Sequence, residues 1–461
     1  MVLSLKDTLQ CPLYIYRKEI KGYILLYNPR LQGEMTLIPK RLNKLFMQID
    51  GKNSIGDLLK KSNLNKTELY LFLYNLLHSE IIYLKRKKNT NTGLSKIKTN
   101  DLFVWVYLTE QCNFRCTYCF IDKNPKKMIS QTVVAMINKL AIMKKKYNLS
   151  RIKIRLAGGE PLLEMELIKE LISNIRNVEK IPGEIFQVGV ITNGSLLTKE
   201  SAGYFSSNNI GLTISLDGIA KQNNITRRFS DGSGTFEHIK KGLLLARENN
   251  ILKNINITIT PGNIKGVPDV VKYCLTNNIT MRFGFFKQTN GVCGGDVIEN
   301  PSSIIPTYKK ILSIIYDFYR KNKIRRSPLI DHSLLDDLNY KGGQSQNHCG
   351  AGASYFSIST DGKITLCPAS NMTLATVYDS DFIKKARLAS SPFLKKMSVE
   401  HIPKCQKCYW KYTCGGGCML ERFNRSEDKP IPSYKCNIYK SIMPIILNLE
   451  AKRILNANCQ K

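Results

Sequence analysis

Cys112, Cys116 and Cys119 stand in the run Thr109-Glu-Gln-Cys-Asn-Phe-Arg-Cys-Thr-Tyr-Cys-Phe120, directly after an apolar, strand-like stretch, Leu102 to Leu108. Thiolates at C-x3-C-x2-C spacing can hold three irons of a 4Fe-4S cube and leave the fourth iron open to a small chelating ligand. A structural zinc site takes four ligands, and no fourth Cys or His lies near these three in the sequence.

A second field of cysteines lies toward the C-terminus. Cys349 is followed by twelve residues, Gly362, four residues and Cys367; farther on come Cys405-x2-Cys408-x5-Cys414-x3-Cys418-x17-Cys436. In a reducing compartment these spacings read as metal or cluster ligation rather than disulfides. A double zinc ribbon is the physical alternative. Cys11, Cys274 and Cys459 match no pattern and read as ordinary thiols. Cys293 falls in the glycine-rich Asn290-Gly-Val-Cys-Gly-Gly295, at a predicted barrel rim.

The elements that must position these groups are legible in the apolar pattern. From about residue 101 to 325, strand-like runs (Phe103–Thr109, Ile152–Leu156, Phe186–Thr192, Gly211–Leu216, Asn254–Thr260, Ile279–Phe285) alternate with helical patterns such as Gln131–Tyr147 and Phe236–Asn249. Such alternation predicts an α/β fold, a partial (β/α)6 TIM-like barrel open on one side, with chemistry at the carboxyl ends of its strands. The cysteine-rich domain follows, from 326 to 461.

Further motifs fall at those strand ends. Ala157-Gly-Gly-Glu-Pro161 follows the second strand, and glycines let backbone approach a ligand closely. Glu160 and its neighbouring carbonyls can accept hydrogen bonds from an ammonium; an ordinary strand-to-helix turn is the bland reading. Thr192-Asn-Gly194 follows the third strand and Ser215-Leu-Asp-Gly218 the fourth. Arg227 lies beyond, with Arg228 adjacent, and Gly232-Ser-Gly-Thr-Phe236 reads as a turn and helix N-cap.

The cluster motif with its following aromatic Phe120, and Gly158, Gly159, Glu160 and Pro161 one strand–helix unit later, resemble the radical S-adenosylmethionine superfamily. The resemblance implies that Cys112, Cys116 and Cys119 carry the cluster and that its open iron binds S-adenosylmethionine. It implies that Gly158–Pro161 contact the amino group, and that Phe120, Thr192 and Asn193 join the cofactor site. Ser215 would meet the ribose with Asp217 close by, and Arg227 would pair with the ligand carboxylate. Relatives often show His-Asp where this chain has Asn223-Asn224. The C-terminal spacing is similar to the SPASM domain, which implies two auxiliary 4Fe-4S clusters, three in all. Cys405, Cys408, Cys414 and Cys436 would hold the outer one; Cys349, Cys367 and Cys418 the inner. Some relatives supply a fourth inner ligand where Gly343 stands; His348, Cys293 or an open iron are the alternatives.

Residues 1–84 read as a small α+β module. Strands are predicted at Leu13–Tyr16, Tyr23–Tyr27, Met35–Ile38 and Ile81–Leu84. Three short helices lie between them: one after Pro39, one capped by Ser54, and one with the stripe Leu69, Phe72, Leu73, Leu76 and Leu77. This order looks like the winged-helix leader-recognition domain of ribosomal-peptide modification systems, which captures peptide as an added strand. Winged helices also bind DNA. Residues 85–100 read as a basic linker, solvated or attracting an acidic leader.

The three parts together resemble a maturase of ribosomally made peptides (RiPPs) of sactipeptide or ranthipeptide type. This implies a precursor peptide held through its leader, a thioether from cysteine sulfur to carbon, and a flavodoxin- or ferredoxin-type electron donor. A carbon–carbon crosslink is the near alternative. Anaerobic sulfatase-maturating enzymes differ: they lack the N-terminal module, and here Cys367 is followed by Pro368 rather than Asp.

A hydrophobic content of 43% supports buried cores. No run reaches the length of a membrane span and the N-terminus lacks a signal-peptide core, so neither membrane association nor export is expected and the cytoplasm is. The net charge of +33 fits an acidic partner, nucleic acid included, or AT-rich coding of many lysines. A nucleic-acid-binding zinc protein would use that charge, but it leaves the motifs at successive strand ends without a purpose, so no nucleic-acid partner is expected.

Overall fold

The computed structural model describes residues 3–30, 35–85, 101–179, 181–286, 304–322, 346–347, 349–425, 431–433 and 435–458. Residues 86–100 of the basic linker, Cys293, Gly343, His348 and Cys459 lie outside the described residues.

The N-terminal module runs Thr8–Gln10 (β1), Tyr16–Ile20 (β2), Tyr23–Tyr27 (β3), Thr36–Pro39 (β4), Asn43–Met47 (α1), Asp50–Ser54 (β5), Ile55–Lys60 (α2), Lys66–His78 (α3) and Tyr83–Leu84 (β6). Two antiparallel three-stranded sheets result, β2-β3-β4 and β5-β1-β6. The β2–β3 hairpin turns on Lys21 and Gly22, both at positive φ, as a tight two-residue hairpin requires. Reciprocal capping boxes start two helices, Ser54 with Asp57 and Asn65 with Glu68. Leu69, Phe72, Leu73 and Leu76 are buried against Leu9, Ile24 and Leu26.

Two expectations shift here. The strand predicted at Leu13–Tyr16 is instead a turn, with Leu13 fully exposed after Pro12, which has no N–H for a ladder; of these residues only Tyr16 is in a strand, as the start of β2, and β1 lies earlier in the chain. Asp50-Gly-Lys-Asn-Ser54 is a strand despite its polar composition, because pairing with β1 overrides local propensity.

The central sheet is built from Leu102–Thr109 (β7), Ile152–Gly158 (β8), Phe186–Thr192 (β9), Gly211–Ser215 (β10), Leu252–Ile259 (β11) and Met281–Phe285 (β12). All six are parallel and adjacent in chain order. Ser130–Lys146 (α4), Met165–Val178 (α5), Lys199–Ser207 (α6), Lys221–Thr226 (α7), Phe236–Glu248 (α8) and Val267–Thr276 (α9) connect them, and Ile304–Lys321 (α10) follows. Leu102, Val104, Val106 and Leu108 alternate into the core beneath the helices, which turns Phe103 and Trp105 toward a cavity inside the sheet's curve.

The sheet does not end at β7. Tyr355–Ile358 (β13) pairs parallel with it, and Lys363–Thr365 (β14) and Thr373–Thr376 (β15) extend it to nine strands. Phe382–Lys396 (α11), Pro403–Gln406 (α12), Lys411–Cys414 (α13), Met419–Arg425 (α14) and Cys436–Asn458 (α15) complete the chain. One apolar core runs from the barrel through to Ile438, Ile442 and Ile446 of α15.

Candidate active site

The cysteine loop after β7 is strapped to the segment that follows α7. Arg115 N–H donates to the Arg228 carbonyl at 2.7 Å and Thr117 N–H to the Thr226 carbonyl at 2.9 Å. Phe114, buried, meets Phe229 edge-on with ring centres 4.9 Å apart. Lys123 Nζ donates to Cys119 Sγ at 2.7 Å. Burial raises the Cys112 thiol and pushes Cys116 up to about 12, while Arg227 pulls the latter down.

Gly158 and Gly159 are required by close approach to the cysteine loop, and both also line the cavity described below. A Cβ on Gly158 would lie 2.2 Å from the Thr109 carbonyl oxygen, and one on Gly159 1.8 Å from that of Gln111. Gly159 N–H donates to Thr109 at 2.8 Å and Glu160 N–H to Gln111 at 2.7 Å. The Glu160 side chain ties this turn to the next loop. Wholly buried, it accepts from Thr192 Oγ1 at 2.6 Å, Asn193 N–H at 2.7 Å and Leu162 N–H at 3.0 Å. Its carboxylate fastens the loop after β9. Asn193 in turn donates to Asn113 of the cysteine loop at 2.8 Å. Pro161 opens the short helical turn beneath.

Asp217 and Arg227 form a second buried unit. Arg227 Nε lies 2.8 Å from Asp217 Oδ2, and Asp217 also takes the Tyr118 hydroxyl and the Thr258 N–H at 2.9 Å. Arg227 Nη1 reaches Cys116 Sγ at 3.9 Å. Arg227, not Arg228, is therefore the inward arginine; Arg228 donates to the Asn224 carbonyl on the exposed side. Asn223 and Asn224 have structural work here. Asn223 accepts from Asp217 N–H, and Asn224 Oδ1 accepts from the N–H groups of Thr235 and Phe236, capping α8. The Thr235 side chain makes no cap bond of its own.

A cavity of about 740 Å³ brings the motifs together. Cys112, Cys116, Cys119, Phe120, Gly158, Gly159, Thr192, Asn193, Ser215 and Arg227 line it. Cys349, Cys367 and Cys418 line the same cavity. The Tyr107 hydroxyl donates to the Pro368 carbonyl at 2.9 Å. Glu160, Pro161 and Asp217 stand behind the wall. A second cavity of about 590 Å³, lined by Arg151, Arg155 and Arg176, opens at the amino ends of the strands and contains none of the motif residues.

Cys405, Cys408, Cys414 and Cys436 gather outside the cavity, each within the electrostatic field of others in the set. Among the described residues, no three His, Cys, Asp or Glu side chains converge as a single ion would require. The corners of a cubane set its ligands farther apart. An all-thiolate donor set in three groups, two of them facing one cavity, fits iron–sulfur clusters. Tyr118 and Lys123 were not singled out in the sequence; both lie within or four residues from the cluster motif, which is the signal that points to them.

The family model of the Radical SAM superfamily matches residues 106–274. The cysteine-type anaerobic sulfatase-maturating enzyme of Clostridium perfringens is 24% identical over 349 residues, 71% of this chain and 91% of that protein. Among solved structures, anSMEcpe with bound AdoMet and Cp18Cys peptide matches at TM-score 0.62 and 22% identity, over 78% of this chain and 99% of its own. Streptococcus suis SuiB bound to precursor peptide SuiA matches at TM-score 0.53 and 15% identity, over 93% and 100%. At these identities the likeness is one of fold. No helix among the described residues is long and apolar enough to cross a membrane.

Proposed function

We infer that this chain is a radical S-adenosylmethionine maturase of a ribosomally synthesised precursor peptide, closing a thioether between a cysteine sulfur and a carbon of another residue. The observation that carries the reading is that Cys112, Cys116 and Cys119 line the same cavity of about 740 Å³ as Cys349, Cys367 and Cys418. Cluster and S-adenosylmethionine, when bound, supply reductive hydrogen-atom abstraction from carbon. The chain's own groups orient the reactants. Arg227 presents a cation beside Cys116, Ser215 a hydroxyl at the wall, and the Thr192–Asn193 loop is held rigid by Glu160. Forming C–S from C–H and S–H removes two hydrogens. One leaves as the abstracted atom, the other as a proton with one electron left over; Cys349, Cys367 and Cys418 would hold an inner auxiliary cluster, which would supply an acceptor for that electron.

Leader binding is assigned to the N-terminal module. β4 is an edge strand, paired only with β3, and faces α3 across a groove of about 560 Å³. Leu37, Leu42, Leu71 and Phe72 line it, and Leu71 is 63% exposed. A peptide strand adding to β4 would find main-chain partners on one side and apolar pockets on the other. SuiB, solved with a precursor peptide, covers the larger share of this chain, which supports the reading. The outer cysteines and a flavodoxin- or ferredoxin-type donor complete an electron path, and the enzyme works in the cytoplasm.

The second reading is oxidation of a sulfatase cysteine, favoured by the likeness to sulfatase-maturating enzymes over 71% of the chain. Anoxically reconstituted enzyme, reductant, S-adenosylmethionine and the precursor encoded nearby separate them. The thioether reading expects a peptide short of two hydrogens whose cysteine no longer alkylates. An aldehyde in place of the thiol contradicts it.

A further inference from the structure

Arg422 is the largest side chain with no solvent exposure. It projects from α14, one turn after Cys418, and its Nη2 donates to the Met397 carbonyl at 2.7 Å. Its Nε and Nη1 are buried and have no partner among the described residues. Among the described residues no carboxylate pairs with it; Glu421 beside it bonds Lys435 through Oε1 at 3.0 Å, both 1% exposed. A buried guanidinium left without a counter-charge is strongly disfavoured. Something anionic must face those two donors.

The surroundings name it. Arg422 Nη1 sits over the glycine loop between Cys414 and Cys418, 3.0 Å from where a Cβ on Gly416 would be, so that loop admits the guanidinium only as glycine. Cys405, Cys418, Cys414 and Cys349 all act electrostatically on it. Cys405 and Cys414 come from the outer set; Cys418 and Cys349 from the inner.

We propose that Arg422 is a cation shared by the two auxiliary clusters, its Nε–H and Nη1–H donating hydrogen bonds to their thiolate or sulfide sulfurs. The inference rests on the cluster assignment above and adds to it a tuning residue. A fixed positive charge stabilises the extra electron of a reduced cluster, and hydrogen bonds to the sulfurs act the same way, so Arg422 raises the potential at which the auxiliary clusters accept an electron. Its charge also offsets repulsion between two anionic cubes.

The test uses full-length chain carrying Cys112→Ala, Cys116→Ala and Cys119→Ala, in which only auxiliary signals remain. Iron and sulfide analysis comes first: absence of auxiliary clusters here and in the unmodified chain overturns the cluster assignment itself. With clusters present, pulsed EPR on reduced protein grown with guanidino-15N arginine is expected to show nitrogen coupling to the cluster spin. That measurement needs no change at position 422; absent coupling overturns the inference alone. Arg422→Gln is expected to make reduction at least tenfold less favourable, 59 mV for a one-electron couple. Arg422→Lys, which keeps the charge but not the fork, is expected to fall between. Unchanged potentials in both variants, with clusters retained, also overturn it, since a merely structural bond to Met397 moves neither readout.

Discussion

Arg227 and Asp217 are paired inside the protein, Nε to Oδ2 at 2.8 Å, with Arg227 6% and Asp217 0% exposed. The hydrogen bond of the pair runs from Arg227 Nη2 to Asp217 Oδ1 at 3.4 Å, and the Nε contact is one of charge. Burial works against the guanidinium, but Asp217 outweighs it and holds the group protonated. The pair fixes an arginine beside Cys116, where a ligand carboxylate is proposed to sit.

Asp217→Asn removes the counter-charge and leaves Arg227 buried. Breaking a buried pair in this way costs about 3–5 kcal/mol. Urea unfolding of the cluster-free chain is expected to show a loss of that size. A change under about 1 kcal/mol would mean that Arg227 reaches solvent, as exposed pairs do.

Gly159→Ala places a methyl where the Gln111 carbonyl is, 1.8 Å away. The cysteine loop must shift. Iron content after anoxic reconstitution is expected to fall by about one 4Fe-4S cluster per chain, the one held by the shifted loop. Full iron loading with unaltered spectra contradicts the packing role.

Glu160 predicts a pH dependence. Burial pushes its carboxyl up from 4.5 to about 6, against hydrogen bonds from Thr192, Asn193 and Leu162. The folded pKa is above the unfolded one, so this group's contribution is fully present below 4.5 and is lost as pH rises through about 6. Between pH 5 and 7.5, the urea midpoint of the cluster-free wild type is expected to fall more steeply than that of Glu160→Gln. Parallel curves for the two proteins would show that the carboxyl titrates normally.

Leu71→Asp alters an exposed position of the leader groove, so stability is expected to stay within about 0.5 kcal/mol. Precursor affinity is expected to drop about tenfold, as for an interface anchor worth over 1 kcal/mol. Fluorescence anisotropy of a labelled full-length precursor measures it. Equal affinity removes the leader from this groove.

Much of this architecture is readable before folding. The β-branched run Phe186–Thr192 can only be a buried strand, and the cysteine spacings mark their own loops. Position along the chain also shows that Gly158–Pro161, Thr192–Gly194 and Ser215–Gly218 share one end of the sheet. Orientation is different. Nothing in the local sequence tells that Glu160 accepts from Thr192, or that Asn224 caps α8 in place of Thr235. These depend on which loop packs beneath. β5 is hidden for a related reason: Asp50-Gly-Lys-Asn-Ser54 has no strand pattern, and its partner β1 lies forty residues away in sequence. Arg422 reads as a surface cation until its burial is seen.

The account stands on the cluster at Cys112, Cys116 and Cys119. EPR of anoxically prepared, reduced protein, recorded before and after adding S-adenosylmethionine, tests it directly. The expected spectrum contains a 4Fe-4S signal that S-adenosylmethionine perturbs and that Cys116→Ala removes, together with 5′-deoxyadenosine formation. A colourless protein holding zinc, or a signal indifferent to both S-adenosylmethionine and Cys116→Ala, contradicts the central claim.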